Sequence, residues 1–264
     1  KNMYKKELEI AKKAARQAGK YLGKEFLLWR RGKASYKTDR ELVTKCDKQA
    51  EKIIFSYIKK AFPKYAILSE ESGLLDKKSD YFWVVDPLDG TTNFTNHLPI
   101  FTSSISLFYK KEVVLGVTYM PILDEMYFAV KGGGAYKNNK KLSVSKIKNI
   151  EQAIMSYNHG KGIANTKKAY KVYEHFHLNA FRCRNIYSTT LQMAMVAAGH
   201  IDGYVVSGAK LWDVAAGVIM ITEAGGTLTT WQGKPWIKTS KSIICANKDL
   251  YPLVVKDMRK LRLA

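Results

Sequence analysis

Two aspartates lie three residues apart around a proline, in the segment WVVDPLDGTTNF, directly after an apolar run. Pro87 fixes its own φ and removes a hydrogen-bond donor, and Gly90 allows the backbone to come close to whatever lies beside it. Asp86 and Asp89 would repel each other, and one would stay protonated, unless a cation lay between them. Because Mg²⁺ prefers oxygen ligands of this kind, and because the Leu88 carbonyl offers another, the segment indicates a site for a divalent cation.

The same letters allow a simpler interpretation. An Asp-Gly turn is often followed by a capped helix, which here would place the N-cap at Thr91 or Thr92. The apolar run before Asp86 is typical of a short buried strand, and we expect that strand to end at this aspartate. A turn of this kind needs no metal. The positions of the other acidic residues are therefore needed to distinguish a cation site from a capped turn.

Three further acidic segments each stand at the predicted end of an element. Glu70 and Glu71 follow a short apolar run in ILSEES. Asp213 lies in the first turn of an apolar helix in KLWDVAAG, where the helix dipole favours a carboxylate. Asp47 lies at the start of a helix in LVTKCDKQAE. Helix capping alone would account for Asp47 or Asp213 taken singly, whereas four acidic segments in one fold favour a shared site.

Hydrophobic periodicity and turn residues predict the elements that would position these acids. A helix over 4–29 with one apolar, alanine-rich face and a second helix over 48–61 precede β-rich runs from YFWVVD to EMYFAV. After about residue 148 strands and helices alternate, with helices near 164–177, 190–198 and 213–224 and strands at AIMSY, RNIYS, GYVVS, GTLTTW and SIICAN. We expect a single α/β domain over 1–264, with an N-terminal α+β half of about 1–148 and a C-terminal α/β half of about 149–264.

The motifs together resemble those of a known family. WVVDPLDGTTNF, with SEES before it and WDVAAG and TEAGG after it, is similar to the inositol monophosphatase family of Mg²⁺-dependent, lithium-sensitive phosphomonoesterases, which are related to fructose bisphosphatases. The resemblance runs from the Asp47 segment to Gly226. It implies a layered αβαβα sandwich, assembled as a homodimer, that hydrolyses a small phosphorylated substrate with two or three Mg²⁺ ions and is inhibited by Li⁺.

The resemblance also implies a role for each motif residue. The first ion would be held by Glu70, Asp86 and the Leu88 carbonyl, and the second by Asp86, Asp89 and Asp213. A third, weaker site is implied at Glu70 through water, with Glu71 supporting the ligands. Asp47 and Thr91 would orient and activate the attacking water. The groups that contact phosphate or substrate would be the amides of Gly90, Thr91 and Thr92 together with Ser188, Thr189 and Asp213.

Two departures from the family pattern bear on the substrate. Val206 stands where inositol-preferring relatives have a glutamate that contacts the sugar ring. Tyr187-Ser188-Thr189-Thr190 replaces a run of small residues, Gly-Ser-Ala-Ala. Both departures leave the metal ligands intact but leave open the choice between inositol monophosphate, which the overall resemblance favours, and fructose bisphosphate, histidinol phosphate or phosphoadenosine phosphate (PAP).

The charge of the chain leaves a hypothesis of another class open. Lys and Arg number 44 against 23 Asp and Glu, a formal net charge of +21. A positive field of this size attracts anions, which suits a small anionic substrate but also a nonenzymatic protein that binds nucleic acid or an acidic partner. The lysines are dispersed, and no RRM, zinc-finger or helix-turn-helix pattern accompanies them. A lysine-rich solvated surface is therefore a third interpretation.

Cysteine usage and hydropathy limit the remaining classes. The three cysteines are Cys46, Cys183 and Cys245, with no C-x-x-C pair, so we expect neither a disulfide framework nor a thiolate metal site. No run of 18 apolar residues predicts a membrane span, and the lysine-rich first residues lack a secretory pattern. We therefore expect a cytoplasmic location and no membrane partner.

Overall fold

The computed structural model describes residues 3–30, 35–38, 41–75 and 79–263. Within these ranges two large sheets carry helices on their faces, and a short antiparallel ribbon pairs β1 (Ser35–Thr38) with β2 (Glu41–Val43). The helices, in chain order, are α1 (Lys5–Leu28), α2 (Lys45–Ala61), α3 (Thr91–Thr95), α4 (Ile163–Asn179), α5 (Thr189–Ala197), α6 (Leu211–Glu223) and α7 (Tyr251–Lys260).

The larger sheet has eight strands in the spatial order β10-β9-β8-β7-β6-β5-β3-β4. Only β3 and β5 pair in parallel, and the other neighbours are antiparallel. The strands are β3 (Ala66–Ser69), β4 (Gly73–Leu75), β5 (Tyr81–Asp89), β6 (Thr102–Tyr109), β7 (Glu112–Met120), β8 (Glu125–Val130), β9 (Gly134–Lys137) and β10 (Lys140–Lys141). The parallel pair matters for function because it places the ends of β3 and β5 beside each other.

The smaller sheet has five strands in the order β12-β11-β13-β15-β14. The first three run parallel, and β15 is antiparallel to both of its neighbours, β13 and β14. The strands are β11 (Ile154–His159), β12 (Arg182–Arg184), β13 (Gly203–Ser207), β14 (Thr227–Thr229) and β15 (Ser242–Ala246). Because β11 and β13 are parallel neighbours, the loops that follow them leave the sheet side by side.

Helices and sheets form five layers. The first helical layer, α1 and α2, packs on one face of the larger sheet against β5, β6 and β7. Between the two sheets lie α5 and α6, which contact β7 and β8 on one side and β13 and β15 on the other. The far face of the smaller sheet is covered by α4 and α7. This is the layered αβαβα sandwich that the family resemblance implies.

The first helix shows how the sequence determines a layer. Its apolar face is buried along the whole length, through Leu8, Ala11, Ala15, Ala18, Leu22 and Phe26. A Cβ atom at Gly19 would lie 2.4 Å from the Tyr119 ring of β7, so glycine is needed where the helix comes closest to the sheet. Small residues therefore set the distance between α1 and the larger sheet.

Some boundaries differ from the prediction. The second helix begins at Lys45 rather than at 48, because Thr44 caps it through its side chain. The strand predicted at RNIYS is wrong: β12 ends at Arg184, and Tyr187 adopts a φ of 51°, which a strand does not allow. The last helix, α7, was not predicted.

Candidate active site

The Asp86–Asp89 segment is a β-bulge that forms the last residues of β5. Asp86 pairs with Ser104 and Asp89 with Thr102, so β5 has one residue more than β6 between these pairs. Residues three apart point to opposite faces of a regular strand, and the extra residue turns both carboxylates to the same side. The prediction that β5 ends at Asp86 was wrong, because a bulge tolerates a proline that cannot donate to the ladder.

The turn after the bulge depends on Gly90. Its φ is 90°, and a Cβ atom there would lie 2.9 Å from the Ile100 carbonyl oxygen. Gly90 is itself the residue before α3, so the predicted N-cap at Thr91 or Thr92 was wrong. The Thr91 hydroxyl instead lies 3.0 Å from the Leu88 carbonyl oxygen and 3.2 Å from Oδ1 of Asp47. Because a hydroxyl has one proton, it donates to one of these acceptors at a time.

Asp47 is held rigidly at the start of α2. Its Oδ2 accepts hydrogen bonds from the backbone N–H and the hydroxyl of Thr44, both at 2.7 Å. Its Oδ1 is left to face Thr91. Burial raises the pKa of Asp47, although the bonds from Thr44 and Thr91 oppose that effect. The capping bonds thus use one carboxylate oxygen of Asp47, and the other oxygen faces Thr91.

Asp89 holds the first turn of α5. Its Oδ2 accepts from the hydroxyls of Ser188 and Thr190, at 2.6 and 2.7 Å, and from the Thr190 backbone N–H at 3.0 Å. Among the described residues its Oδ1 accepts one hydrogen bond, from the Thr189 N–H at 3.2 Å. One oxygen is therefore saturated and the other retains acceptor capacity. Ser188 is fully buried behind Asp89, whereas Thr189 lines the cavity described below.

Glu70 enters the site from the carboxyl end of β3. Ser69 pairs with Val85 of β5, and the Glu70 backbone N–H donates to the Val85 carbonyl at 3.2 Å. The turn that follows is fixed by Glu51 of α2, which accepts from the Ser72 N–H at 3.1 Å and from the Ser72 hydroxyl. Sequence reasoning missed Glu51, since its position on a helix face carries no motif. Glu71 lies in the same turn, half-buried.

Asp213 approaches from the third residue of α6. Its Oδ2 accepts from the Lys210 backbone N–H at 2.7 Å. Burial raises its pKa to about 7; the Asp89 charge adds to the rise, and the Lys210 N–H and the charges of Lys161 and Lys210 oppose it. Asp213 therefore accepts a capping hydrogen bond at the start of α6 and also belongs to the acidic cluster.

The electrostatics show that the four acidic segments meet. Asp86 is 2% exposed, and burial raises its pKa well above the usual value. The nearby charges that add to this rise are, in order, Glu70, Asp89, Asp213 and Asp47. A carboxylate in this position is costly to ionise unless a cation compensates it.

A cavity of about 240 Å³ opens over this cluster. Of the residues predicted from the sequence, it is lined by Glu70, Gly90, Thr91, Thr92, Thr189 and Asp213. Its other polar lining was not predicted and comes from the end of β11 and from the loops that follow β11 and β13: Asn158, His159, Lys161 and Lys210. Tyr187 lies at its edge and is 56% exposed, while Val206 is buried in the core between the sheets.

The oxygen ligands at this site suit Mg²⁺ better than a metal ion that must be enclosed by protein side chains. Across the described residues, no three His, Cys, Asp or Glu side chains are grouped so as to hold an ion by themselves. Mg²⁺ keeps several waters and is commonly bound by one or two carboxylates together with substrate phosphate oxygens. Asp86, the available oxygens of Asp89 and Asp213, and the Leu88 carbonyl fit that requirement.

Known proteins of one family resemble this chain over nearly its whole length. A sequence profile described as the inositol monophosphatase family matches residues 3–263. The chain belongs to the inositol monophosphatase family. An inositol-1-monophosphatase of Mesorhizobium japonicum is 34% identical over 262 residues, which cover 96% of both chains. A protein of Pasteurella multocida named Nus factor SuhB is 35% identical over 255 residues, which cover 95% of this chain and 93% of that one.

Solved structures of the family share the fold. The crystal structure of the extragenic suppressor protein suhB of Bartonella henselae matches with a TM-score of 0.91 at 32% identity, over 96% of this chain and 98% of that one. As a member of the inositol monophosphatase family, the chain is a phosphoric monoester hydrolase, a class that acts on small phosphorylated substrates. In the described part of the chain, no helix is long and apolar enough to cross a membrane.

Proposed function

We propose that this member of the inositol monophosphatase family is a Mg²⁺-dependent phosphomonoesterase that releases phosphate from small anionic esters. The observation that carries the proposal is the burial of Asp86 among Glu70, Asp89 and Asp213. A buried group of like charges destabilises a protein unless a cation compensates it, and divalent cations are the ones that also bind phosphate oxygens.

The proposed ligands are those that the family resemblance implies. Glu70, Asp86 and the Leu88 carbonyl would hold one ion, Asp86, Asp89 and Asp213 a second, and Glu70 a weaker third, with Glu71 as support. When bound, Mg²⁺ neutralises charge on the phosphate oxygens and lowers the pKa of water. The hydrogen bonds to Oδ2 of Asp89 and to Oδ2 of Asp213 fix the two carboxylate planes, so that binding of a cation would require little reorganisation.

Thr91 and Asp47 are proposed to accept the proton that the attacking water loses. The Thr91 oxygen can accept from a water while its own proton goes to Oδ1 of Asp47, 3.2 Å away. The water oxygen then bonds to phosphorus, the bond from phosphorus to the ester oxygen breaks, and the leaving oxygen takes up a proton from solvent, while Asp47 returns its proton to solvent. Gly90, Thr91 and Thr92 would bind the phosphate through their N–H groups, and Thr189 and Asp213 would contact the leaving group.

Family membership favours inositol monophosphate as the substrate, with fructose bisphosphate, histidinol phosphate and PAP as alternatives. Val206 is buried and offers no polar group to a sugar ring, which weakens the case for inositol. Inhibition by Li⁺, assembly as a homodimer and a cytoplasmic location remain predictions from the sequence.

The test is phosphate release from these four esters with Mg²⁺, with EDTA, and with Mg²⁺ plus Li⁺. Turnover that requires Mg²⁺ and falls with Li⁺ is the expected result. Turnover that is unaffected by EDTA after exhaustive dialysis would contradict the metal dependence. Release from none of the four by a folded protein would contradict the choice of substrate class.

A second role is favoured by a separate observation. The net charge is +21, and several relatives, among them those of Pasteurella multocida and Escherichia coli, are named Nus factor SuhB. A basic surface of this kind would bind nucleic acid or an acidic protein independently of catalysis. Salt-dependent binding to RNA by a catalytically inactive variant would support that role, and binding equal to that of a neutral control protein would exclude it.

A further inference from the structure

Asn93 belongs to the segment WVVDPLDGTTNF but takes no part in the chemistry proposed above. It is the third residue of α3 and is 4% exposed. Its side-chain nitrogen donates to the Ile100 carbonyl at 2.8 Å and to the Ile186 carbonyl at 2.7 Å. Because both partners are acceptors, the nitrogen must face them, and both of its protons are used. One side chain therefore joins two loops that lie far apart in the sequence.

The first of these carbonyls lies against the proposed phosphate-binding turn, Gly90–Thr92. The Ile100 oxygen is the atom that would lie 2.9 Å from a Cβ atom on Gly90. The turn and Asn93 also belong to one short helical segment, in which the Phe94 backbone N–H donates to the Gly90 carbonyl at 2.9 Å. Asn93 thus holds Ile100 beside the turn, at a distance that only glycine leaves open.

The second carbonyl begins the segment 186–190, which leads into α5. Asp89 binds the other end of this segment, through hydroxyl and N–H groups of residues 188–190. Between the two attachments lies Tyr187, which lines the cavity and has a φ of 51°. A residue other than glycine keeps such a conformation only where its surroundings impose it. Asn93 and Asp89 impose it from the N-terminal half of the chain.

A buried asparagine can serve structure alone, by supplying donors to carbonyl groups that would otherwise lack them. Such a role would affect stability and nothing else. The two acceptors of Asn93, however, adjoin segments that line the cavity: Gly90–Thr92 beside Ile100, and Tyr187 next to Ile186. Loss of the Asn93 amide should therefore move one lining segment relative to the other.

We propose that Asn93 is a positioning residue that sets the place of the Tyr187–Thr189 segment relative to the phosphate-binding turn. The phosphate of a substrate would bind at the turn and its alcohol portion would contact the segment, so Asn93 governs which alcohol portions fit. This inference rests on the proposed phosphatase activity and adds a residue that determines its specificity without touching the substrate. A displacement of about 1 Å suffices, because misplacement of that size costs up to about 10²-fold in rate.

The experiment compares an ester with its phosphate group alone. Values of kcat and KM are measured with Mg²⁺ for the one of the four esters that wild type hydrolyses fastest, together with the inhibition constant of inorganic phosphate. Asn93→Ala should lower kcat/KM for the ester about 10- to 100-fold, mainly through KM, and leave the inhibition constant of phosphate nearly unchanged. Asn93→Ser should have a smaller effect, since one hydroxyl proton serves at most one of the two carbonyls.

Asn247→Ala is the matched control. Asn247 is 5% exposed, and its side-chain nitrogen also has two partners, the Ile147 carbonyl at 2.7 Å and the Ser145 hydroxyl at 3.2 Å. It does not line the cavity, so its loss should lower stability without changing KM or the inhibition constant. Urea denaturation shows which variants are folded, and Asn93→Ser serves if Asn93→Ala is not.

Several results would overturn the inference. An inhibition constant of phosphate that rises as much as KM would mean that Asn93 acts on the turn alone. A loss confined to kcat, or no loss at all, would leave Asn93 a structural residue, and so would an equal rise in KM for Asn247→Ala. If folded wild type hydrolysed none of the four esters, the proposed function itself would fail and the inference with it.

Discussion

Asp89 and Thr190 are joined twice, because the backbone N–H and the hydroxyl of Thr190 both donate to Oδ2 of Asp89, at 3.0 and 2.7 Å. The strand β5 and the helix α5, which belong to different halves of the chain, are thereby connected at the acid cluster. The same carboxylate orders a helix terminus and is proposed to bind Mg²⁺. Its position should thus depend on side chains about 100 residues away in the sequence.

The first prediction concerns that connection. Thr190→Val keeps the shape of the side chain but removes a hydroxyl that bonds to a charged group, and should lower the free energy of unfolding by roughly 1.5–3 kcal/mol. It should also weaken the affinity for Mg²⁺, because Asp89 loses part of its orientation. Urea denaturation and a Mg²⁺ titration of activity measure the two effects. Thr190→Ser is the control and should restore both; equal behaviour of the Val and Ser variants would contradict the account.

The pairing of Thr91 with Asp47 gives the second prediction. Thr91→Val removes the hydroxyl between the water and Oδ1 of Asp47, and should reduce kcat by about 10²–10⁴-fold with a much smaller change in KM. Thr91→Ser keeps the hydroxyl and should retain most of the activity. Values of kcat and KM for each variant are measured with the ester that the wild-type protein hydrolyses fastest. A serine variant as inactive as the valine variant would show that the threonine methyl group, and not its hydroxyl, is what the site requires.

Much of the acid site follows from the sequence, because spacing within one short segment is preserved in any fold. Asp86, Asp89 and Gly90 lie within five residues of each other, and Asp47 and Asp213 stand where helices begin, so their approximate positions follow from local rules. Yet the bulge that turns Asp86 and Asp89 to one side could not be predicted. It depends on how β5 registers against β6, which local sequence does not specify.

The other wall of the cavity could not be predicted at all. Asn158, His159 and Lys161 meet Lys210 only because β11 and β13 pair in parallel and two glycines touch. Neither loop carries a motif of its own, and lysines are abundant throughout the chain. The dispersal of lysines in the sequence therefore conceals a pair that is close together in space.

Tyr187 gives the third prediction, because it combines backbone strain with exposure at the cavity. Its φ is 51°, a conformation that costs a residue other than glycine about 1–2 kcal/mol. Tyr187→Ala removes the ring and keeps the strain, whereas Tyr187→Gly removes both. We expect the glycine variant to be at least as stable as the alanine variant despite the flexibility of glycine. Urea denaturation of the two variants measures this difference.

The activities of the same two variants on the four esters test the role of the Tyr187 ring. Both lack the ring at the edge of the cavity, so any change in the ranking of the four esters should be common to the two. A change in ranking confined to one variant would mean that loop geometry, and not the ring, selects the substrate.

The fourth prediction is a pH dependence of stability without metal. The pKa of Asp213 in the folded protein is about 7, against about 3.9 when unfolded, so the folded state binds more protons between these values. Stability should therefore fall as pH rises from about 4 through 7. Asp213→Asn should be more stable than wild type at pH 8 by roughly 1–3 kcal/mol, less than the full shift implies because Asp213 keeps some contact with solvent.

Urea denaturation between pH 5 and 8, in EDTA, measures that difference. The difference in the free energy of unfolding between Asp213→Asn and wild type should become smaller towards acidic pH, where wild-type Asp213 is protonated. Added Mg²⁺ should stabilise wild type at pH 8 more than the variant, which loses a ligand of the second proposed ion but keeps those of the first. A difference that stays constant across the pH range would contradict the assignment of the raised pKa to Asp213.

The most direct test of the central claim is Asp86→Asn, measured for phosphate release with Mg²⁺ and for unfolding in EDTA. Asparagine keeps the oxygen that accepts from the Leu88 N–H at 3.2 Å but removes the buried charge. We predict a loss of Mg²⁺-dependent turnover of at least about 10²-fold, together with a metal-free protein more stable than wild type. Turnover retained with Mg²⁺ would contradict the account, and so would a metal-free variant that is less stable than wild type.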